Sequence, residues 1–238
     1  MCGKLYCIGV GPGDPELMTI KALRALSEAD VVAYPHSDKA GSEAVALGIA
    51  TAACEELKNK EKLPVYVPMT RDRDAVEKSL REVAEQISER LKGGKSVAYV
   101  TLGDPMIYST YSTLGKTLRD LGHETIYVPG VPSFCAAAAK LGVPLAEGKE
   151  ALSIIPASGA IPSLRENENA VFMKAGSRMK ELKECDALKN REVMAVSNCG
   201  MENEAVYERM SDVPEDAGYF TIVMAKKKLK SRMHDNCP

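Results

Sequence analysis

Three short stretches of this 238-residue chain have the residue types to hold a ligand or move a proton. The first is Gly9-Val10-Gly11-Pro12-Gly13-Asp14-Pro15. Its glycines let the backbone approach a bulky ligand closely. It begins like a dinucleotide-binding G-x-G-x-x-G, but the final glycine is Asp14, and Pro12 lacks the N–H that a pyrophosphate cradle needs. No G-K-[ST] follows, so it is not a phosphate-binding P-loop either. The second stretch is Thr101-Leu102-Gly103-Asp104-Pro105, continuing through Met106, Ile107, Tyr108, Ser109 and Thr110. A carboxylate beside a glycine can face a cation, accept a hydrogen bond from a ribose, or cap the next helix, and spacing alone leaves these open. The third is Pro129-Gly130-Val131-Pro132-Ser133-Phe134-Cys135, followed by four alanines that suit close helix packing against a sheet or a ligand.

Other chemistry is thinly supplied. There are only three histidines, His36, His123 and His234, each read as a surface or structural residue. The seven cysteines at 2, 7, 54, 135, 185, 199 and 237 show no C-x-x-C spacing, so no metal site is expected. Unpaired thiols in a chain long enough to build its own core point to a reducing, cytoplasmic setting. With 45% apolar and 27% charged residues the chain is not disordered. Its formal charge of −2 argues against a general nucleic-acid binder. No run of apolar residues is long enough to span a membrane, and Met1–Val10 reads as a strand and not as a signal peptide.

The elements that must position the three stretches follow from periodicity. Apolar runs at Lys4–Val10, Val31–Ala33, Ser96–Leu102 and Glu124–Val128 predict strands. Asp14-Pro15 opens a helix with an apolar stripe of Leu17, Ile20, Leu23 and Leu26. Asp74–Leu91 is the clearest helix, closed by Gly93-Gly94. Further helices are expected over Tyr108–Asp120 and Ser133–Leu141, and further strands near Leu152–Ile155, Ala170–Met173, Val193–Ser197 and Phe220–Ala225. Glu55–Lys62 reads as a solvated, charged connector, and the basic tail Lys226, Lys227, Lys228, Lys230 and Arg232 as a frayed end. Alternating strands and helices mean an α/β protein with a mainly parallel sheet in its first half. All three stretches then fall at the carboxyl edge of strands, where open α/β sheets bind ligands. The proline-rich break at 129–132 suggests two lobes, 1–128 and 129–238.

Taken together, Ile8–Ala22, Leu102-Gly103-Asp104-Pro105 and Pro129-Gly130-Val131 resemble the tetrapyrrole (corrin/porphyrin) methyltransferases, in family order and over residues 3 to 228. Gly103–Tyr111 and Pro129–Ala137 are similar to the branch that methylates carbon 20 of precorrin-2 or cobalt-factor II in cobalamin biosynthesis. The resemblance implies two α/β lobes with S-adenosyl-L-methionine between them, in a homodimer. It carries cofactor contacts onto Pro12, Leu102, Gly103, Asp104, Ile107, Pro132, Ser133, Met173 and Cys199. It implies a tetrapyrrole as substrate, with any metal arriving inside the macrocycle. Methyl transfer from a sulfonium needs in-line placement and exclusion of water more than acid–base help. The methylated carbon must still lose a proton, and Asp104 and Tyr108 are the candidates for that step, against roles in cofactor binding and packing. Arg71, Arg73 and Lys174 are candidates for the substrate carboxylates. Competing readings are another branch of the family (uroporphyrinogen-III, precorrin-4 or diphthine-synthase type) and a nucleotide-binding regulatory module.

Overall fold

A computed structural model describes residues 2–36, 45–66, 68 and 72–227. Arg71 and the tail from Lys228 onward lie outside the described residues, as does the side chain of Arg73. The chain forms two compact units, Met1–Pro132 and Ser133–Pro238.

The first unit alternates β1 (Leu5–Gly9), α1 (Ile20–Glu28), β2 (Val31–His36), α2 (Val45–Ala53), β3 (Glu61–Tyr66), α3 (Arg73–Lys92), β4 (Val97–Thr101), α4 (Tyr111–Asp120) and β5 (Thr125–Val128). All five strands are parallel, in the order β3-β2-β4-β1-β5. The connections leaving β1 and β2 step across the sheet one way, and those leaving β3 and β4 step back the other way. Right-handed crossovers then put the two pairs of helices on opposite faces. The side chains agree. Leu5 and Cys7 of β1 join α3 and α4 in one core, through Leu80, Val83, Ile87, Leu91, Leu114 and Leu118. Tyr6 and Ile8, pointing the other way, join α1 and α2 through Ala22, Leu26, Ile49 and Ala50. Each fully buried leucine or isoleucine contributes roughly 1.5–3 kcal/mol. A sheet covered on both faces explains why β1 and β4 are buried throughout.

Several expectations need correction. The helix expected from Asp14 is interrupted. Asp14 caps a 3-10 turn, Pro15–Leu17, and Thr19 accepts the N–H of Ala22 to start α1 afresh. Ile20, placed in the apolar stripe by its spacing, is therefore an exposed first-turn residue, 70% accessible. The segment 55–62 is not a solvated connector. It holds a 3-10 turn, Glu55–Asn59, and the start of β3. Lys60 points its ammonium at the carbonyls of Leu26, Ser27 and Ala29, the C-terminal end of α1, at 2.6–2.8 Å. A cation there complements the helix dipole. The helix expected from Tyr108 starts at Tyr111, because Tyr108 has a left-handed backbone (φ +48°). α2 escaped notice in the sequence for want of polar residues to mark its outer face.

The second unit has α5 (Ser133–Leu141), β6 (Ala151–Pro156), β7 (Glu168–Met173), α6 (Met179–Glu184), β8 (Arg191–Ser197), β9 (Ala205–Tyr207) and β10 (Thr221–Lys227). Its sheet order is β6-β7-β10-β8-β9, and only β6–β7 is parallel. One face, with Phe172, Ala195 and Val223, packs on Met179, Leu182 and Leu188. α5 contacts β8 and β10, and its Ala136, Ala137 and Ala138 are buried. Lys226, expected in a frayed end, is buried in β10, with its ammonium on the Pro144 carbonyl at 2.6 Å and beside Glu147 and Glu150.

Candidate functional site

In the first unit the three stretches singled out by sequence meet. β1 and β4 are neighbours whose connections leave to opposite faces, which opens a crevice at their carboxyl ends. Across it the first and second turns are stitched backbone to backbone: Gly103 N–H donates to the Gly11 carbonyl at 2.8 Å, and Gly11 N–H to the Gly103 carbonyl at 3.3 Å. Gly11 and Gly103 both lie in the left-handed region, at φ +80° and +68°. The third turn closes on the other two. A Cβ on Gly130 would sit 2.2 Å from the Gly103 oxygen, and one on Gly9 would sit 2.5 Å from the same atom. Glycine is required at both positions because three backbones share that space.

Asp104 ties the second turn to the third. One carboxylate oxygen accepts the N–H of Met106 at 2.8 Å and the other accepts Gly130 N–H at 3.1 Å. Asp104 does not cap the next helix, which starts at Tyr111 behind Thr110; its carboxylate holds its own turn at Met106 and reaches a second amide at Gly130. The structure brings together Pro12, Leu102, Gly103, Asp104, Ile107 and Tyr108, with Pro132 two residues beyond Gly130. Pro12 and Gly103 are buried, Leu102, Asp104, Ile107, Pro132 and Ser133 half-buried, and Tyr108 exposed. Below the crevice, burial and then the Asp104 charge push the Cys7 thiol far up, so it stays protonated. The loop 105–110 is fixed by Ser109, whose hydroxyl accepts Tyr111 N–H and lies 3.3 Å from that of Thr101. Sequence reasoning assigned that serine no role of its own, because it fell inside the helix expected over Tyr108–Asp120.

In the second unit Met173 and Cys199 follow from the sheet. β7 and β8 both pair antiparallel with β10, so they run in the same direction and end at the same edge. Met173 ends β7, Cys199 lies two residues past β8, and Ser133 opens α5. The edge is knitted by Ala175 N–H to the Thr221 carbonyl and Asn198 N–H to the Phe220 carbonyl, each 3.0 Å, and by the Ser197 and Thr221 hydroxyls at 2.9 Å. Lys174 sits here with its ammonium 5.7 Å from the centre of the Tyr219 ring. Among the described residues, three non-glycine residues have positive φ: Tyr108, Lys174 and Asn198. Lys174 and Asn198 directly follow β7 and β8, and Tyr108 lies in the loop between β4 and α4. Such backbone strain concentrates at functional sites.

The donor set tells which ligand chemistry fits. The Gly11 and Gly103 amides are spent on each other and Pro12 has none, so the first turn offers no nest for a phosphate. Leu102 and Ile107 supply apolar surface and no cation. That chemistry suits an uncharged nucleoside carrying a sulfonium, and does not suit a pyrophosphate. The dinucleotide alternative loses its ground here.

A Rossmann-like crevice without a phosphate cradle, in a chain of two α/β units, defines a recognised class. The chain belongs to the tetrapyrrole (corrin/porphyrin) methylases, whose family model matches residues 4–213. It is 31% identical to a precorrin-2 C(20)-methyltransferase from a Sinorhizobium species, over 93% of this chain and 94% of that one. It is 34% identical to a probable cobalt-precorrin-2 C(20)-methyltransferase from Methanocaldococcus jannaschii, over 86% of this chain and 84% of that one. Among solved structures, a uroporphyrin-III-C-methyltransferase from Thermus thermophilus superposes with a TM-score of 0.67 at 25% identity, covering 95% and 93% of the two chains. A structure of a uroporphyrin-III C-methyl transferase from the same organism, complexed with S-adenyl homocysteine, superposes with a TM-score of 0.65 at 24% identity, covering 94% and 92%.

Proposed function

We propose that the chain is an S-adenosyl-L-methionine-dependent methyltransferase acting on carbon 20 of precorrin-2 or cobalt-factor II in cobalamin biosynthesis. The observation that carries this reading is the closed set of glycine turns at 9–13, 103 and 130, which offers backbone and apolar surface but no phosphate nest. The near full-length likeness to two C(20)-methyltransferases supports carbon 20 over other positions.

When bound, the cofactor supplies a methyl group already activated by its sulfonium. The proposed contacts are Pro12, Leu102, Gly103, Asp104 and Ile107 of the first unit, with Pro132, Ser133, Met173 and Cys199. Asp104 holds the second and third turns at a fixed separation, which is the positioning that in-line transfer requires. Tyr108, 47% exposed on a strained backbone in the same loop, is the proposed group for moving the proton that the methylated carbon loses. Lys174, beside Tyr219, is proposed to meet a substrate carboxylate.

The protein is further proposed to act as a homodimer in the cytoplasm. The six described cysteines are free thiols, as a reducing compartment favours. No helix among the described residues is long and apolar enough to cross a membrane.

Incubation with isotopically methyl-labelled S-adenosylmethionine and either precorrin-2 or its cobalt form tests the function. Mass spectrometry is expected to register one added methyl, and NMR to place the label on carbon 20. Label on any other carbon would move the enzyme to another branch of the family.

A further inference from the structure

Glu204, which lies in no strand or helix, gathers three groups around the turn after β8. One carboxylate oxygen accepts the N–H of Gly200 at 2.6 Å, and the other pairs with the Lys140 ammonium at 3.0 Å. The buried Cys199 thiol also hydrogen-bonds to it. Cys199 sits between two left-handed residues, Asn198 at φ +51° and Gly200 at φ +75°. Lys140 is in the last turn of α5, the helix that Ser133 opens. The Glu204 side chain is only 20% accessible, so its contacts are shielded from water.

We infer that Glu204 is a positioning residue for the cofactor, fixing the 198–200 turn and anchoring it through Lys140 to α5. The inference rests on the proposal that Ser133 and Cys199 touch S-adenosylmethionine. A left-handed Asn198 beside Cys199 is costly to hold, and a half-buried carboxylate on the Gly200 amide offsets that cost. The same carboxylate has a side effect: burial and then the Glu204 charge push the Cys199 thiol up to about 11, so it stays neutral at physiological pH.

The test uses full-length E204A, E204Q, K140M and C199A. Glu204→Ala is expected to weaken S-adenosylhomocysteine binding about tenfold, the worth of one lost charge-assisted hydrogen bond. It should raise KM for S-adenosylmethionine equally while leaving kcat at saturation within about twofold. Glu204→Gln, which keeps an acceptor for Gly200, is expected to restore most of the affinity, and Lys140→Met to fall between. The pH titration of the 13Cβ signal of Cys199, assigned by its loss in C199A, should move to lower pH in both Glu204 variants. A folded E204A with wild-type affinity and KM, while Cys199 titrates at lower pH, overturns the inference. Should E204A not fold, K140M decides: wild-type KM, or a matched loss of kcat and melting temperature without a change in KM, also overturns it. Failure of the underlying reading looks different. There C199A binds S-adenosylhomocysteine normally and the wild-type Cys199 signal ignores the ligand.

Discussion

The two units hold their strand-end turns by different means. In the first, backbone holds backbone: Gly9, Gly11, Gly103 and Gly130 crowd together, and the one side chain involved, Asp104, binds amides. In the second, side chains add to the backbone bonds of the edge, through Ser197 on Thr221, Glu204 on Gly200 and Lys174 over Tyr219. The left-handed positions there include Lys174 and Asn198, although Gly176 is packed against Gly218 at the base of the same edge. A glycine-built turn is rigid in position and tolerates no substitution. A side-chain-built turn stores strain and can be adjusted one contact at a time.

The sharpest way to break this contrast is Gly130→Ala. A Cβ placed 2.2 Å from the Gly103 oxygen forces the turns apart, and both stability and S-adenosylhomocysteine binding are expected to collapse. A loss of about 3 kcal/mol, the upper end of the usual range for overpacking, is the expected scale. Urea denaturation and calorimetry check it, and a variant of wild-type stability would mean the turns are not closed on one another.

Asp104→Ala comes next. It leaves the Met106 and Gly130 amides without their carboxylate, and turnover at saturating substrates is expected to fall about 100-fold through two hydrogen bonds of roughly 1.5 kcal/mol each. Asp104→Asn keeps one acceptor oxygen and separates positioning from charge: recovery to within about tenfold assigns Asp104 to positioning. Unchanged turnover in the alanine variant removes it from the site.

Asn198→Gly should have the opposite sign in the second unit. Relief of a left-handed backbone is expected to stabilise by about 0.5–1 kcal/mol in thermal unfolding. Gly103→Asn, at a comparable φ but inside the glycine lattice, should destabilise. If both changes have the same sign, the distinction between the two kinds of turn is void.

The smallest effect concerns the far side of the first unit. His123 is buried 2.7 Å from the Ser88 hydroxyl, and burial, then Lys92, hold its imidazole below the ordinary value. A histidine depressed on folding leaves stability intact above its unfolded value near pH 6.5 and erodes it as pH falls below that. The midpoint of unfolding should therefore drop more steeply from pH 7 to 5.5 in the wild type than in His123→Gln. Parallel pH profiles would refute the assignment.

These differences also explain what could be read from sequence. Glycine and proline punctuate the first unit at 9–15, 103–105 and 129–132, so its turns and the strands before them were legible. Helix capping was one role left open for Asp104, but its carboxylate holds its own turn and reaches Gly130 instead, a bond that spans 26 residues and leaves no local mark. In the second unit Lys174 and Asn198 carry no mark of their left-handed backbone, and Glu204 looks like any surface acid. Charge hid structure as well: Lys60 and Lys62 looked solvated, yet both ammonium groups sit on carbonyls. α2 and β9 were missed because one is apolar all round and the other is three residues long.

The strand order has one more consequence, for the newborn chain. Among the described residues β1 pairs with β4 and β5 alone, so it has no partner until residues 97–128 have emerged. At about 5–20 residues per second that is a wait of several seconds to some tens of seconds. The pair β2–β3 can form earlier, but the crevice cannot. Its three turns come together only when β5 docks and Gly130 reaches Gly103, so the crevice is the last part of the first unit to form.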